Sequence, residues 1–403
     1  MSQDPGQHPR RAARNLLSYP YFSLQERDRR WHRTRDAMAQ DGIDCLVVPN
    51  DAGQGTTSQA AGRYLTQIGG GSDSDVAVIF PGDDEPTVIT GDPAQWIASQ
   101  PWCTDLRAPV GSYATTVVSR LHEVIPRRVG IVGQATASYA FVQHLFKQLP
   151  AVEWVDFSYQ MEAIRSVKGI EEIAFLEQAA QLVDAAYDAT LGALQPGVPE
   201  RHVWAAAVEA LCSGGSEPPV NLSWVGGEHP DLVTLGPTWR AIAPGWLFLT
   251  EVEAAWGGYR ARRAQPFACG EPDPLYADLI RLMSDVWDEM LPRLQPGAPL
   301  LGLTETLAAT CTRLKPLTGP IAGATTSLAL EGCGLGSDLP RMPETGSLPS
   351  TAPSKLRLGW CFSCRLSGRA GRYHLVWSEP VAITARGPRR LSSAPPQIRV
   401  ARW

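Results

Sequence analysis

The residues best equipped for chemistry are acids and arginines on short apolar segments, together with one loop histidine. TEVEAAWGGYRARRAQPF, Thr250 to Phe267, reads as a strand, a Gly-Gly-Tyr turn and a second strand. Glu251 and Glu253 lie two residues apart, so they share one strand face. Arg262 and Arg263 follow the turn. A guanidinium stays protonated and only donates, so it grips a carboxylate or another anion and cannot ligate a cation. His229, one of seven histidines, sits in the Gly-rich WVGGEHPD and has the residue type of a general acid or base; the competing reading is a loop-bracing histidine.

Other combinations are weaker. Cys361 and Cys364 form CFSC, but no second Cys pair or Cys/His cluster accompanies them, which favours buried strand cysteines over zinc or redox chemistry. His374, in GRYHLVW, reads as a solvent-facing strand histidine. Trp224, Trp256 and Trp360 read as core or pocket wall. The glycines of GGGSD, Gly69 to Asp73, do not open a βαβ helix and make no nucleotide fingerprint.

The chain that must position these groups has 403 residues, enough for two domains, with 44% hydrophobic and 19% charged residues. A net charge of −5 argues against nucleic acid as a partner. The N-terminus is basic and polar without an apolar signal region, and no window approaches a membrane span, so a cytoplasmic location with reduced cysteines is expected.

Residues 1–20 read as disordered. SLQERDRRWHRTRDAMAQDG follows as a helix capped by Ser23 and closed by Gly42. Short apolar strands then alternate with helices, so residues 21–158 form an α/β domain. MEAIRSVKGIEEIAFLEQAAQLVDAAYDATLGAL is one long helical pattern. It ends in LQPG, Leu194 to Gly197, and a second helix follows. LQPG recurs at Leu294 to Gly297, again between two helices and ahead of strands. Residues 159–403 therefore read as two αα-ββ halves around one core, with the interface between them a natural ligand site.

These stretches resemble the creatinase / aminopeptidase P / prolidase family. ERDRRWHRTRDAMAQDGIDCLVV and GRYLTQIGG resemble its N-terminal domain. IRSVKGIEEIAFLEQAAQLVDAAYDATLGALQPGVPE, GGEHPD, PGWLFLTEVEAAWGGY, EGCGLG, LRLGWCFSC and VAITARGPRRLS follow the order of its catalytic domain. The resemblance implies a mixed α/β (α+β) chain: a creatinase-type N-terminal α/β domain, then a pseudo-twofold pita-bread domain.

Metal enzymes of that family hold two divalent ions on two aspartates, a histidine and two glutamates. By motif those positions fall here on Glu251, Arg262, Glu331, Arg365 and Ser378, with Glu379 beside the last. Two arginines repel a divalent ion, and the resemblance therefore implies a site without metal and no other cofactor. Creatinase-type members cleave a C–N bond with a histidine and acids. On that pattern His229, Glu251 and Glu331 are the catalytic expectation. Arg262, Arg365, Glu253 and Asp338 are the substrate-binding expectation, for a small polar amino-acid-like molecule. The same set as a self-neutralising network implies a silent fold used for binding or assembly, and a third reading is an Xaa-Pro-type metallopeptidase. A homodimer is the family expectation. Arginines left unpaired, with His229 facing them, would fit the enzyme reading; Glu–Arg pairs closing the site would fit the silent one.

Overall fold

A computed structural model describes residues 20–50, 59–69, 75–91, 101–218, 222–231, 236–336, 338–344, 354–392 and 394–403. The disorder reading for the first residues and most of GGGSD lie outside them. The chain forms two compact units, divided between Arg165 and Ser166.

In the first unit, α1 (Leu24–Gln40) begins as its sequence dictates, with Ser23 Oγ accepting from the Glu26 amide. Next come β1 (Cys45–Val48), α2 (Ala60–Thr66), β2 (Val76–Pro81), β3 (Thr87–Thr90), β4 (Leu106–Arg107) and α3 (Tyr113–Val124). They are followed by β5 (Arg128–Ile131), α4 (Tyr139–Gln148), β6 (Glu153–Asp156) and α5 (Ser158–Ser166). The strands, in the order β4-β3-β2-β1-β5-β6, make one mixed sheet. β1 runs antiparallel to β2 and parallel to β5. Continuous apolar runs in β1 and β2 are buried throughout, as a sheet covered on both faces requires.

In the second unit, α6 (Ile170–Ala193) and α7 (Glu200–Ser213) precede β7 (Leu222–Gly227), β8 (Leu247–Trp256) and β9 (Tyr259–Cys269). α8 (Pro274–Met290) and α9 (Leu300–Leu314) precede β10 (Thr325–Gly332), β11 (Asp338–Met342), β12 (Cys361–Ala370), β13 (Tyr373–Thr384) and β14 (Gly387–Arg390); β15 (Arg399–Ala401) ends the unit. Two sheets result, β15-β9-β8-β7 and β11-β10-β12-β13-β14. α8 and α9 pack on the second sheet and α6 and α7 on the first, each burying an apolar cluster.

The LQPG repeat is structural. Gly197 and Gly297 adopt φ of 81° and 86°, which only glycine enters without strain. Their amides donate to Ile242 O and Leu356 O, both at 2.8 Å, and Ile242 and Leu356 return bonds to Val198 O and Ala298 O. One turn thus does the same work in both halves. It clips each helix pair to the loop that enters its sheet.

The long helical pattern from Met161 is interrupted where the sequence reading ran it through. Val167 bridges Trp360, and the Lys168 amide donates to Gly359 O at 2.8 Å. The extended segment thus claims backbone groups a continuous helix would use. α6 restarts at Gly169, whose amide is taken by Glu172 Oε2 at 2.7 Å. Cys361 and Cys364 are both buried strand residues, as their spacing suggested.

Candidate active site

Strand register sets out the inward face of the second unit. β8 pairs with β9 so that Glu253 faces Arg262 and Glu251 faces Ala264. β10 pairs with β12 so that Glu331 faces Ser363, and β12 pairs with β13 so that Arg365 faces Ser378. Ser363 Oγ donates to Arg262 O at 3.1 Å, and the Ala264 amide donates to Ser378 Oγ at 2.6 Å, fastening the two sheets here.

Arg262 is the hub. Its Nη1 donates to Glu331 Oε2 at 2.7 Å and lies 3.5 Å from Glu251 Oε1. Its Nε and Nη2 lie 3.2 and 3.0 Å from Glu253 Oε2. Arg260 adds a bond to Glu253 Oε1 at 3.3 Å. Arg365 reaches Glu344 Oε1 through Nη1 at 3.2 Å, while its Nε stands 3.8 Å from Glu251 Oε2. Burial pushes the Glu251 carboxyl above the usual range, and the attraction of Arg262 and Arg365 only partly offsets it. Burial works against the Arg262 charge too, but Glu253, Glu331 and Glu251 outweigh it and hold the guanidinium firmly protonated.

Glu251, Glu253, Arg262, Glu331 and Arg365 therefore converge. Arg260 and Glu344 belong to the same cluster and were not singled out from sequence. Arg260 carried a signal, since it precedes Arg262 by two on the same strand face. Glu344 carried none, because only the β10–β11 hairpin brings it there. Arg263 faces the other way, buried, paired with Asp184 and set over the Tyr187 ring.

Three other expectations meet different surroundings. Asp338 is buried against Lys168 Nζ at 2.6 Å. Ser378, not Glu379, shares the inward face with Arg365. Strand alternation turns Glu379 outward, where it is buried and bound to Arg390 at 2.7 Å and Ser392 Oγ at 2.8 Å. His229 packs between Tyr276, 3.2 Å from Nδ1 to the hydroxyl, and the Tyr373 ring. Among the described residues no hydrogen bond or ion pair joins it to the Glu–Arg cluster.

His374, expected to face solvent, is only 2% exposed. The β12–β13 hairpin and the loop after β7 enclose it. Nε2 is 2.9 Å from Ser367 Oγ, and Nδ1 is 3.1 Å from Asp231 Oδ1 and 3.3 Å from Arg369 Nη2. Burial, reinforced by Arg369 and opposed by Asp231 and Glu344, lowers its pKa below 6.5. Unfolding frees the imidazole to take a proton it refuses when folded, so its contribution to stability is complete above pH 6.5 and is lost as pH falls through the lowered value. In a urea titration series, the wild type should lose more stability between pH 7 and 5 than His374→Gln does. Equal losses would refute the assignment.

A divalent metal pair does not fit this donor set. The place between Glu251 and Glu331 is taken by Arg262 Nη1. The positions where the resemblance places metal ligands supply two carboxylates, Glu251 and Glu331, with two guanidiniums, Arg262 and Arg365, where cations need several oxygen or nitrogen donors. Among the described residues no group of three or more His, Cys, Asp and Glu side chains is arranged to hold a metal ion.

The family comparisons agree with the architecture. Residues 174–378, about half the chain, match the model for metallopeptidase family M24, and residues 30–167 match the creatinase/prolidase N-terminal domain. An uncharacterised peptidase of Bacillus subtilis (strain 168), YqhT, is 22% identical over 275 residues, covering 66% of this chain and 72% of that protein. Ectoine hydrolase of Halomonas elongata is 26% identical over 120 residues, 28% of this chain and 30% of that one. In fold, the chain is similar to X-Pro aminopeptidase of Thermotoga maritima MSB8, with a TM-score of 0.76 at 15% identity, covering 92% of this chain and 99% of that one. No described helix is long and apolar enough to cross a membrane. Taken with the helix–LQPG–helix repeat and the paired sheets, the match establishes that the chain is a member of metallopeptidase family M24, carrying a creatinase/prolidase N-terminal domain ahead of its pita-bread domain.

Proposed function

We propose that the protein is a hydrolase of the M24 family that cleaves a C–N bond in a small, polar, amino-acid-like substrate without a binuclear metal centre. The observation that carries this reading is Arg365, a fixed cation where the family resemblance places a metal ligand, whose buried Nε is left without a hydrogen-bond acceptor among the described residues, while Arg262 is engaged by Glu331 at 2.7 Å and Glu251 at 3.5 Å. A guanidinium there supplies positive charge to a developing oxyanion and needs no coordination sphere. Glu251, with its raised carboxyl, is suited to carry a proton. Arg365 Nε is buried and has no hydrogen-bond acceptor among the described residues, which suits it to an anionic substrate group. His229, the proton-transfer group expected from sequence, packs beside Tyr276, and no hydrogen bond or ion pair joins it to the cluster among the described residues. We further take the chain to work as a cytoplasmic homodimer.

The test is metal analysis of the purified protein together with a hydrolysis panel of Xaa-Pro dipeptides, N-acyl amino acids and small amides, run with and without chelator. We expect well below one divalent ion per chain and turnover that a chelator leaves unchanged. Two ions per chain with chelator-sensitive Xaa-Pro hydrolysis would overturn the reading and establish the metallopeptidase one. A binding or assembly role is favoured by the engagement of Glu251, Glu253 and Glu331 by Arg262. Ligand-induced thermal shifts without turnover of any panel compound would establish that role.

A further inference from the structure

On the strand that carries Arg365, the next residues on the same face are Ser367, buried, and Arg369, exposed. Ser367 Oγ, His374 Nε2, His374 Nδ1 and Asp231 Oδ1 form an unbroken chain, with steps of 2.9 and 3.1 Å. The spacing and order are those of a hydroxyl, a base and the carboxylate that orients the base. We propose that Ser367 is a catalytic nucleophile toward an amide or ester carbonyl, with His374 as its general base and Asp231 as the residue that positions His374. This deepens the hydrolase reading above and rests on that part of it, not on its metal content.

The tautomer follows from the partners. Arg369 Nη2 only donates, and its shortest contact is to Asp231 Oδ1 at 2.6 Å. Asp231 only accepts, so it holds the proton on His374 Nδ1. Nε2 is then a bare acceptor aimed at the Ser367 hydroxyl. The lowered pKa keeps the imidazole neutral at pH 7, the state a base needs before it acts. Arg365 lies two positions along the same face, and its buried Nε, 3.8 Å from Glu251 Oε2, lacks a hydrogen-bond acceptor among the described residues. That donor suits the oxygen of a tetrahedral intermediate.

The chemistry balances with water as co-reactant. Ser367 Oγ bonds to the carbonyl carbon as its proton passes to Nε2, and the carbonyl π pair moves onto oxygen. Collapse breaks the carbon–nitrogen or carbon–oxygen bond, and the leaving group takes the proton from Nε2. Water then attacks the acyl ester and gives its proton to Nε2. Oγ departs with that proton, leaving a free carboxylic acid.

The experiment treats the full chain with a fluorophosphonate probe and locates the adduct by intact mass and peptide mapping. We expect one adduct, on Ser367, absent in Ser367→Ala. His374→Ala and Asp231→Asn should each slow labelling by roughly 100-fold or more. Asp231 is largely exposed, so its variant should fold even if His374→Ala does not. The wild-type rate should fall with pH through one ionisation below 6.5, a dependence that a merely bracing hydrogen-bond chain would not produce. No adduct on Ser367 of folded wild type, or an unchanged rate in folded Asp231→Asn, overturns the proposal. Labelling is read without a substrate, so it stands or falls separately from the metal analysis. Two bound ions with a labelled Ser367 would sink the metal-free reading alone.

Discussion

Arg262→Ala should destabilise the second unit by about 3 kcal/mol, near the low end of what removing one partner of a buried ion pair costs. The variant leaves Glu251, Glu253 and Glu331 converging on the place the guanidinium held. Glu253 and Glu251 have only 7% and 14% of their side chains exposed, so water replaces little of the lost attraction there. Glu331 is 45% exposed, and screening at that carboxylate keeps the figure from going higher. For a unit of this size the expected fall in Tm is roughly 6–12 °C.

The pH dependence gives the sharper signature. Without Arg262 the Glu251 carboxyl loses an attraction that offsets its burial and is pushed up further, so the wild-type advantage is small in acid and grows as pH rises through that value. Arg262→Lys should recover only part of the loss, because an ammonium lacks the planar fork that reaches three carboxylates at once. Melting curves of the three proteins between pH 4 and 8 provide the check. Superimposable wild-type and Ala curves would show that the carboxylates do not depend on this cation.

Lys168→Met should cost about 3–5 kcal/mol by uncovering the Asp338 carboxylate in an interior where both side chains are 1% exposed. Space around the pair is fully used. A Cβ at Gly334 would stand 2.1 Å from Asp338 Oδ2 and 2.8 Å from Lys168 Nζ. Gly334 O in turn accepts the Arg260 amide at 2.9 Å, so the pair braces the backbone beneath the Arg260–Glu253 contact. Replacing both partners, Lys168→Met with Asp338→Leu, removes the desolvation cost along with the attraction and should bring stability back to within about 1 kcal/mol of wild type. Urea midpoints of wild type, single and double variants form the cycle. A double variant as unstable as the single one would mean that the two groups act independently.

Most of the fold was legible because its signals are local. The Ser23 cap, the alternation of Thr250 to Phe267 and the two LQPG turns are set by residues within one turn or strand of one another. The break at Val167 was not legible. Every residue from Met161 to Leu194 tolerates a helix, and the competitor is the segment at Gly359 and Trp360, far along the chain. The buried state of His374 was hidden for the same reason, since the carboxylate that meets it, Asp231, comes from the loop after β7.

The sequence by itself determined the family architecture and the residue types on the inward strands: acids at 251, 253 and 331, and arginines at 262 and 365. Alternation along a strand is a property of the backbone, so the faces of Ser378 and Glu379 were fixed once their strand was placed. What only the tertiary structure decided is who meets whom. Arg262 could have faced a substrate or its own glutamates, and the register of β8 with β9, with β10 carrying Glu331 across from the other sheet, gave it the glutamates. Ser367 and His374 look unremarkable in the chain, and a hairpin and a loop made them neighbours. Charges and hydrogen-bonding groups act over a few ångströms, and that distance is set by packing between segments remote in sequence, which no local pattern records.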